Sequence, residues 1–179
     1  NKSEVTLGYS KYFNRSESYR NVFNSKTGFT QPKLSNGEWK LPFDPLDTHG
    51  QGFIEGNSWN FSLYIPHAIP TMIQLMGGKK RFEEHLDSLF TMHLDDKYIE
   101  QNEDITRDGI MGNYVHGNEP SHHVPYLYNY TSSPWKTQER VHAIANKFYT
   151  NETNGLCGND DAGQMSAWYV FSALGIYPT

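Results

Sequence analysis

The stretch AWYVFSALGI, Ala167 to Ile176, is almost unbroken apolar sequence, and it follows directly on a glycine-rich acidic corner, GNDDAGQ. A membrane-spanning helix needs about 20 such residues, so this run is far too short to cross a bilayer. At helical spacing it carries apolar side chains on every side, and a helix of that kind belongs in the interior, packed among others. The sequence predicts this helix over Gly163 to Gly175, and a helical layer around it.

The same period recurs along the chain. Tyr12, Phe13, Tyr19, Val22 and Phe23 form one face of an amphipathic helix between Ser10 and Asn24. Pro66 and Pro70 divide the next helical stretch, giving one helix near Ser58 to Ile65 and a second from about His67 to Met76, ended by Gly77 and Gly78. Phe82, Leu86, Leu89 and Phe90 make a stripe in RFEEHLDSLFTMHL. SHHVPYLYNY and SPWKTQERVHAIANKFY read as two further helices, the second with Ser133 and Pro134 as N-cap and first residue and a stripe of Val141, Ile144, Ala145 and Phe148. Residues 25–53, punctuated by Gly28, Pro32, Gly37, Pro42, Pro45 and Gly50, form a long loop, and residues 95–120 are polar and irregular. No convincing alternating strand pattern appears. The expected class is all-α: helical hairpins whose long loops gather into one working face.

A chain of 179 residues has room for one domain with a sizeable core. It starts in polar sequence and stops just after the apolar helix, which reads as a piece of a longer protein. Its 15 basic and 20 acidic residues leave a net charge of −5 and no basic cluster, which argues against a nucleic-acid partner. A single cysteine, Cys157, excludes an internal disulfide framework. Aromatic residues make up 15% of the chain, and aromatic faces with polar rims suit sugar rings as well as a tyrosine-rich core. Asn1, Asn14, Asn60, Asn129 and Asn151 each head an N-x-Ser/Thr triplet, a weak excess of glycosylation acceptors.

Two acidic positions carry the chemical interest. Glu55 opens EGNSWNF, and Asp160 and Asp161 stand before the apolar helix. Carboxyl groups on two such corners are what glycoside hydrolysis requires: one protonates the leaving oxygen, and the other activates water or attacks the sugar. For Asp160 and Asp161 the competing reading is a helix cap stabilised by the dipole. That role does not exclude catalysis, because the same dipole keeps a base ionised. Adjacent histidines, His122 and His123, point apart on a helix and do not suit a zinc ion; a hydrogen-bonding wall for sugar hydroxyls is the better reading. A calcium loop starting at Asp104 fails, because Val115 falls where the bidentate acid must sit. Of the tryptophans beside polar corners, Trp59 is expected to be a sugar platform and Trp168 a core residue, with Trp135 undecided.

Three stretches in order, GFIEGNSWNFSLYIPHAIPTMIQLMGG, GNEPSHHVPYLYNYTSSPWKTQ and GLCGNDDAGQMSAWYVFSALGIYP, together with TGFTQPKLSNGEW, resemble the glycoside hydrolase family 92 α-mannosidases. The resemblance implies a calcium-dependent, inverting, exo-acting α-mannosidase of α-1,2 type that removes terminal mannose from mannose-containing oligosaccharides, as in N-glycan processing. It implies part of an (α/α)6 barrel, with the N-terminal β-sandwich and remaining barrel helices absent, and a secreted, periplasmic or cell-surface location. By position, Glu55 matches the general acid and Asp161 the general base, with Asp160 as second choice. Asn118 and Glu119 look like calcium or mannose ligands; the expected sugar-binding residues are Asn57, Trp59, His122 and His123. The readings set against this one are a non-catalytic carbohydrate-binding helical fragment and another (α/α)6 glycosidase acting on glucose-type sugars.

Overall fold

The computed structural model describes residues 2–99 and 107–177, with side chains described from residue 8 onward. Helix α1 (Lys2–Ser16) passes through a 3-10 turn (Ser18–Asn21) into an antiparallel hairpin, β1 (Phe23–Asn24) and β2 (Phe29–Thr30). The expected helix over Ser10 to Asn24 thus ends early. Of its predicted stripe only Phe23 is buried; Tyr12 and Phe13 stay exposed.

The long loop that follows is tied to the body at both ends. Thr30 N–H donates to Ser62 Oγ (2.8 Å), and Ser58 N–H donates to the Pro45 carbonyl (3.1 Å). Helix α2 (Ser58–Phe61) is a single turn, shorter than the sequence suggests. Pro66 opens a 3-10 turn (Pro66–Ala68), and α3 (Ile69–Leu75) follows with Pro70 in its first turn, where a missing N–H costs little.

Helix α4 (Lys79–Thr91) buries the predicted stripe of Phe82, Leu86, Leu89 and Phe90. It packs on α3 and on the segment Val124–Tyr130, which in turn packs on α6 (Trp135–Phe148). Val124–Tyr130 is a 3-10 helix rather than the expected α-helix; Pro125, at its start, can donate no backbone hydrogen bond. Pro134, not Ser133, takes the N-cap position of α6. Lys136 locks the three elements together, its ammonium donating to Glu83 Oε1 (2.9 Å) and Asp87 Oδ2 (2.6 Å), while Tyr128 OH donates to Asp87 Oδ1 (2.9 Å).

Between α4 and α6 the chain adds a short helix α5 (Asp96–Ile99) and a second hairpin, β3 (Ile110–Met111) and β4 (Tyr114–Val115). The final helix α7 (Gln164–Ala173) buries Met165 and Trp168. Tyr169, Val170 and Phe171 are 43%, 54% and 46% exposed, so the helix is not buried all round as its composition predicts. Among the described residues, the side of α7 facing His122, Tyr126 and Tyr149 is the one with a partner layer. No helix among the described residues is long and apolar enough to cross a membrane.

Candidate active site

Three loops, distant in sequence, meet at one cleft of about 640 Å³. The first carries Glu55 just before α2, the second Glu119 in a 3-10 turn after β4, and the third Asp161 before α7. Tyr64, Pro66, His123, Gln164 and Tyr177 complete its wall. Glu55 and Asp161 are exposed, and Glu119 is half-buried. The Glu119 carboxyl faces that of Asp161 across the cleft, and its Oε1 is buried with no partner among the described residues. Burial first, and then the facing Asp161 carboxyl, raise the Glu119 carboxyl above its ordinary range. The neighbouring charges of Asp161 and Glu55 act in the same direction.

The acidic corner is clamped in an uncommon backbone shape. Asp161 and Ala162 have φ of 45° and 57°, and Gly163 follows at 94°. Left-handed conformation costs a non-glycine residue roughly 1–2 kcal/mol, so the surroundings must hold it. Asp160 does much of this: its carboxylate accepts from Ser166 N–H (2.9 Å) and Ser166 Oγ–H (3.0 Å), which caps the first turn of α7. The two aspartates therefore divide the readings the sequence leaves open. Asp160 is committed to the helix, and Asp161 is turned into the cleft.

A close backbone approach fixes the spacing of two loops. A Cβ on Gly158 would lie 2.7 Å from Gly117 Cα, and one on Gly117 would lie 2.9 Å from the Cys157 carbonyl oxygen. Only glycine at both positions lets Gly117-Asn118-Glu119 and Gly158-Asn159-Asp160 lie this close.

Beneath these loops runs a buried chain of polar contacts. Tyr149 OH donates to the Met165 carbonyl (2.9 Å), so its oxygen is left to accept from His116 Nε2–H (2.7 Å). His116 Nδ1 then accepts from Tyr114 OH (2.8 Å), and one tautomer satisfies the set. His122 Nε2–H donates to the His116 carbonyl (2.9 Å), and Trp168 Nε1–H donates to the His122 carbonyl (3.0 Å).

Burial lowers the His116 imidazole to about 3, aided by nearby His122, and burial lowers His85 to about 4. Both folded values lie below the ordinary 6.5, so the unfolded chain binds more protons than the native one. The stability these neutral rings contribute is complete above pH 6.5 and is lost as pH falls toward 4 and then 3. We expect urea unfolding to show stability falling by about 1.4 kcal/mol per pH unit for each histidine over that window. An unchanged urea midpoint between pH 7 and 5 would contradict it.

The structure separates the predicted sugar-binding residues. His123 lines the cleft, its ring fixed by Nε2–H donating to the Leu63 carbonyl (2.9 Å). His122 is buried in the chain below the site. Asn57 is also buried: its Oδ1 accepts from Trp59 N–H (3.1 Å) and Asn60 N–H (3.4 Å), and its amide pairs with Asn113. Trp59 stacks on His85 (4.3 Å) and meets Phe29 edge-on, away from the cleft lining. The aromatic walls are instead Tyr64 and Tyr177, which together with Gln164 the sequence reading missed. All three sit inside the quoted motifs, and the usable signal was a tyrosine one or two residues before a proline in YIP and IYP.

Calcium takes six to eight oxygen ligands. Among the described residues no three His, Cys, Asp or Glu side chains form a group that suits a metal ion. Glu119 offers its unpartnered oxygen, whereas Asn118 is not part of the cleft lining and Asp104 lies outside the described residues. The described residues do not by themselves fit a calcium ion.

Residues 2–179 match the glycosyl hydrolase family 92 catalytic domain. The chain resembles the solved family 92 α-mannosidase BT3965 of Bacteroides thetaiotaomicron at 40% identity and a TM-score of 0.85, over 99% of this chain and 23% of that one. The same enzyme solved with mannoimidazole matches at 40% identity and a TM-score of 0.84, over 95% of this chain and 23% of that one. The inverting mannosidase BT2199 of the same organism matches at 36% identity and a TM-score of 0.78, over 97% of this chain and 25% of that one. A curated relative from Arthroderma benhamiae, named an uncharacterized secreted glycosidase, is 29% identical over 95% of this chain and 22% of its own length. The chain thus spans a quarter or less of each relative's length. Its helical, strand-poor architecture agrees with a fragment of an (α/α) barrel.

Proposed function

The chain belongs to glycosyl hydrolase family 92, and from that premise we propose that it carries the acid–base centre of an exo-acting, inverting α-mannosidase. The observation that carries the reading is the convergence of Glu55, Glu119 and Asp161, borne on three separate loops, on one cleft with aromatic walls.

In this reading Glu55, as the carboxylic acid, gives its proton to the glycosidic oxygen as the bond from that oxygen to C1 breaks. Asp161, as the carboxylate, takes a proton from the water whose oxygen forms the new bond to C1 from the opposite face. Exchange with solvent returns each group to its starting state. Glu119, facing Asp161 in the cleft, helps position it. His123, Tyr64 and Tyr177 bound the mannose, and a terminal α-1,2-linked mannose is the first substrate to test. His122 supports the site from the buried polar chain, Asn57 caps α2 next to Glu55, and Trp59 packs on His85. Calcium dependence remains a family expectation. No step above is routed through calcium. A mannose-containing glycan as partner and a secreted or cell-surface location accord with the solved relative's inhibitor and the curated relative's name. The β-sandwich and the rest of the barrel, expected elsewhere in the full protein, complete the proposal.

Proton NMR of the hydrolysis of an α-mannoside by the full-length protein tests it. The expected first product is β-mannose, which then equilibrates by mutarotation. Initial α-mannose means retention and overturns the assignment of Asp161 as base. Faster turnover of an α-glucoside than of the α-mannoside overturns the substrate assignment.

A further inference from the structure

A second groove of about 600 Å³ lies beside the catalytic cleft, and Tyr177 belongs to the wall of both. Tyr126 stacks flat on Tyr177, with ring centroids 4.3 Å apart and planes 4° from parallel. Tyr126 OH is paired with Ser172 Oγ at 2.6 Å, which ties this partition to α7. Across the groove Trp135, the first residue of α6, leaves its indole 59% exposed. An exposed tryptophan at a helix start is not needed by the core, since Ile144 and Phe148 anchor α6 there.

The polar groups of the groove are all neutral. Thr137 OH donates to Asn129 Oδ1 (3.1 Å), which leaves the Asn129 amide N–H groups as donors, and Gln138 is exposed beside them. Among the described residues no Asp, Glu, Lys, Arg or His lines the groove. That composition gives no purchase on a phosphate, a carboxylate or a cation. It suits a ligand with apolar faces and hydroxyl edges, and a groove of this size has room for such a ligand. It also offers, among the described residues, no carboxylate or imidazole to act as acid or base.

Resting on the reading of the adjoining cleft as a mannoside site, we infer that this groove is a second carbohydrate subsite. It binds sugar units of the leaving-group glycan that extend past Tyr177, with Trp135 as their platform. The groove thereby makes the protein selective for longer oligosaccharides over single mannosides.

Tryptophan fluorescence titrations of the full-length protein, wild type and Trp135→Ala, with methyl α-mannoside and an α-linked mannotriose test this without requiring turnover. The wild type is expected to bind the trisaccharide more tightly, and Trp135→Ala to reduce that preference about tenfold, the scale of a lost aromatic contact. Trp135→Phe should restore part of it. An unchanged preference in Trp135→Ala, or no preference in the wild type, overturns the subsite. Equal weakening of both sugars also overturns it, since Trp135 would then act through the fold. Trisaccharide binding that depends on Trp135, with turnover of no mannoside, would retain the subsite and overturn the catalytic reading of the neighbouring cleft.

Discussion

Glu55→Gln is expected to lower kcat on a mannose disaccharide by about 10²–10⁴, the usual contribution of a general acid. The loss should be far smaller on a dinitrophenyl α-mannoside, whose leaving group departs without a proton. This difference between substrates identifies the role, because damage to binding or folding would depress both rates alike. Glu55 is exposed on a loop, and the packing around it is made by its neighbours: Asn57 caps α2, and Phe53 stacks on Phe61. The amide should therefore leave thermal unfolding unchanged. A loss of equal size on both substrates would remove Glu55 from the acid role.

Asp161→Asn should cost a similar factor on both substrates, since water must be activated whatever the leaving group. Added azide, which needs no base to attack C1, should restore turnover of the activated mannoside and yield a β-mannosyl azide. Asp160→Asn is the companion variant. Its carboxylate is bound to Ser166 at the start of α7, so its loss should appear as about 1 kcal/mol or less of stability, in the range of a helix cap. Activity should stay near that of the wild type. If Asp160→Asn proved the more damaging to catalysis, the division of labour at this corner would be reversed.

The helices that the sequence made legible were those whose apolar stripe settles on a single partner layer. The stripe of α4 buries as spaced, and α3 tolerates Pro70 where the helix start allows it. The two hairpins escaped because each strand is two residues long, too short for alternation to register. The 3-10 segment at Val124–Tyr130 shares its apolar content with an α-helix, and only its backbone bonding differs. At the cleft, Glu55 and the acidic corner stood out because carboxyl groups on glycine-bearing loops are seldom core residues, whereas buried His123 stood out only as one of an adjacent pair. Asn57 and Trp59 show the converse: polar or aromatic identity says nothing about which way a side chain turns. Asn57 turned inward to close a helix end, Trp59 turned toward His85, and exposed Tyr64 took the place beside the cleft.

The contact between Gly117 and Gly158 sets limits on how such a site can change. The distance between the loop bearing Glu119 and the corner bearing Asp161 is held where two backbones touch, with no side chain between them. An interface made of side chains can be trimmed or enlarged one methylene at a time; this one is already at its shortest. Every substitution at either glycine inserts atoms and drives the loops apart, and a displacement on the order of 1 Å can cost about a hundredfold in rate. Variation in what the cleft accepts must therefore come from its rim, at residues such as Tyr64 and Gln164, while the gauge between the two acidic loops stays constant.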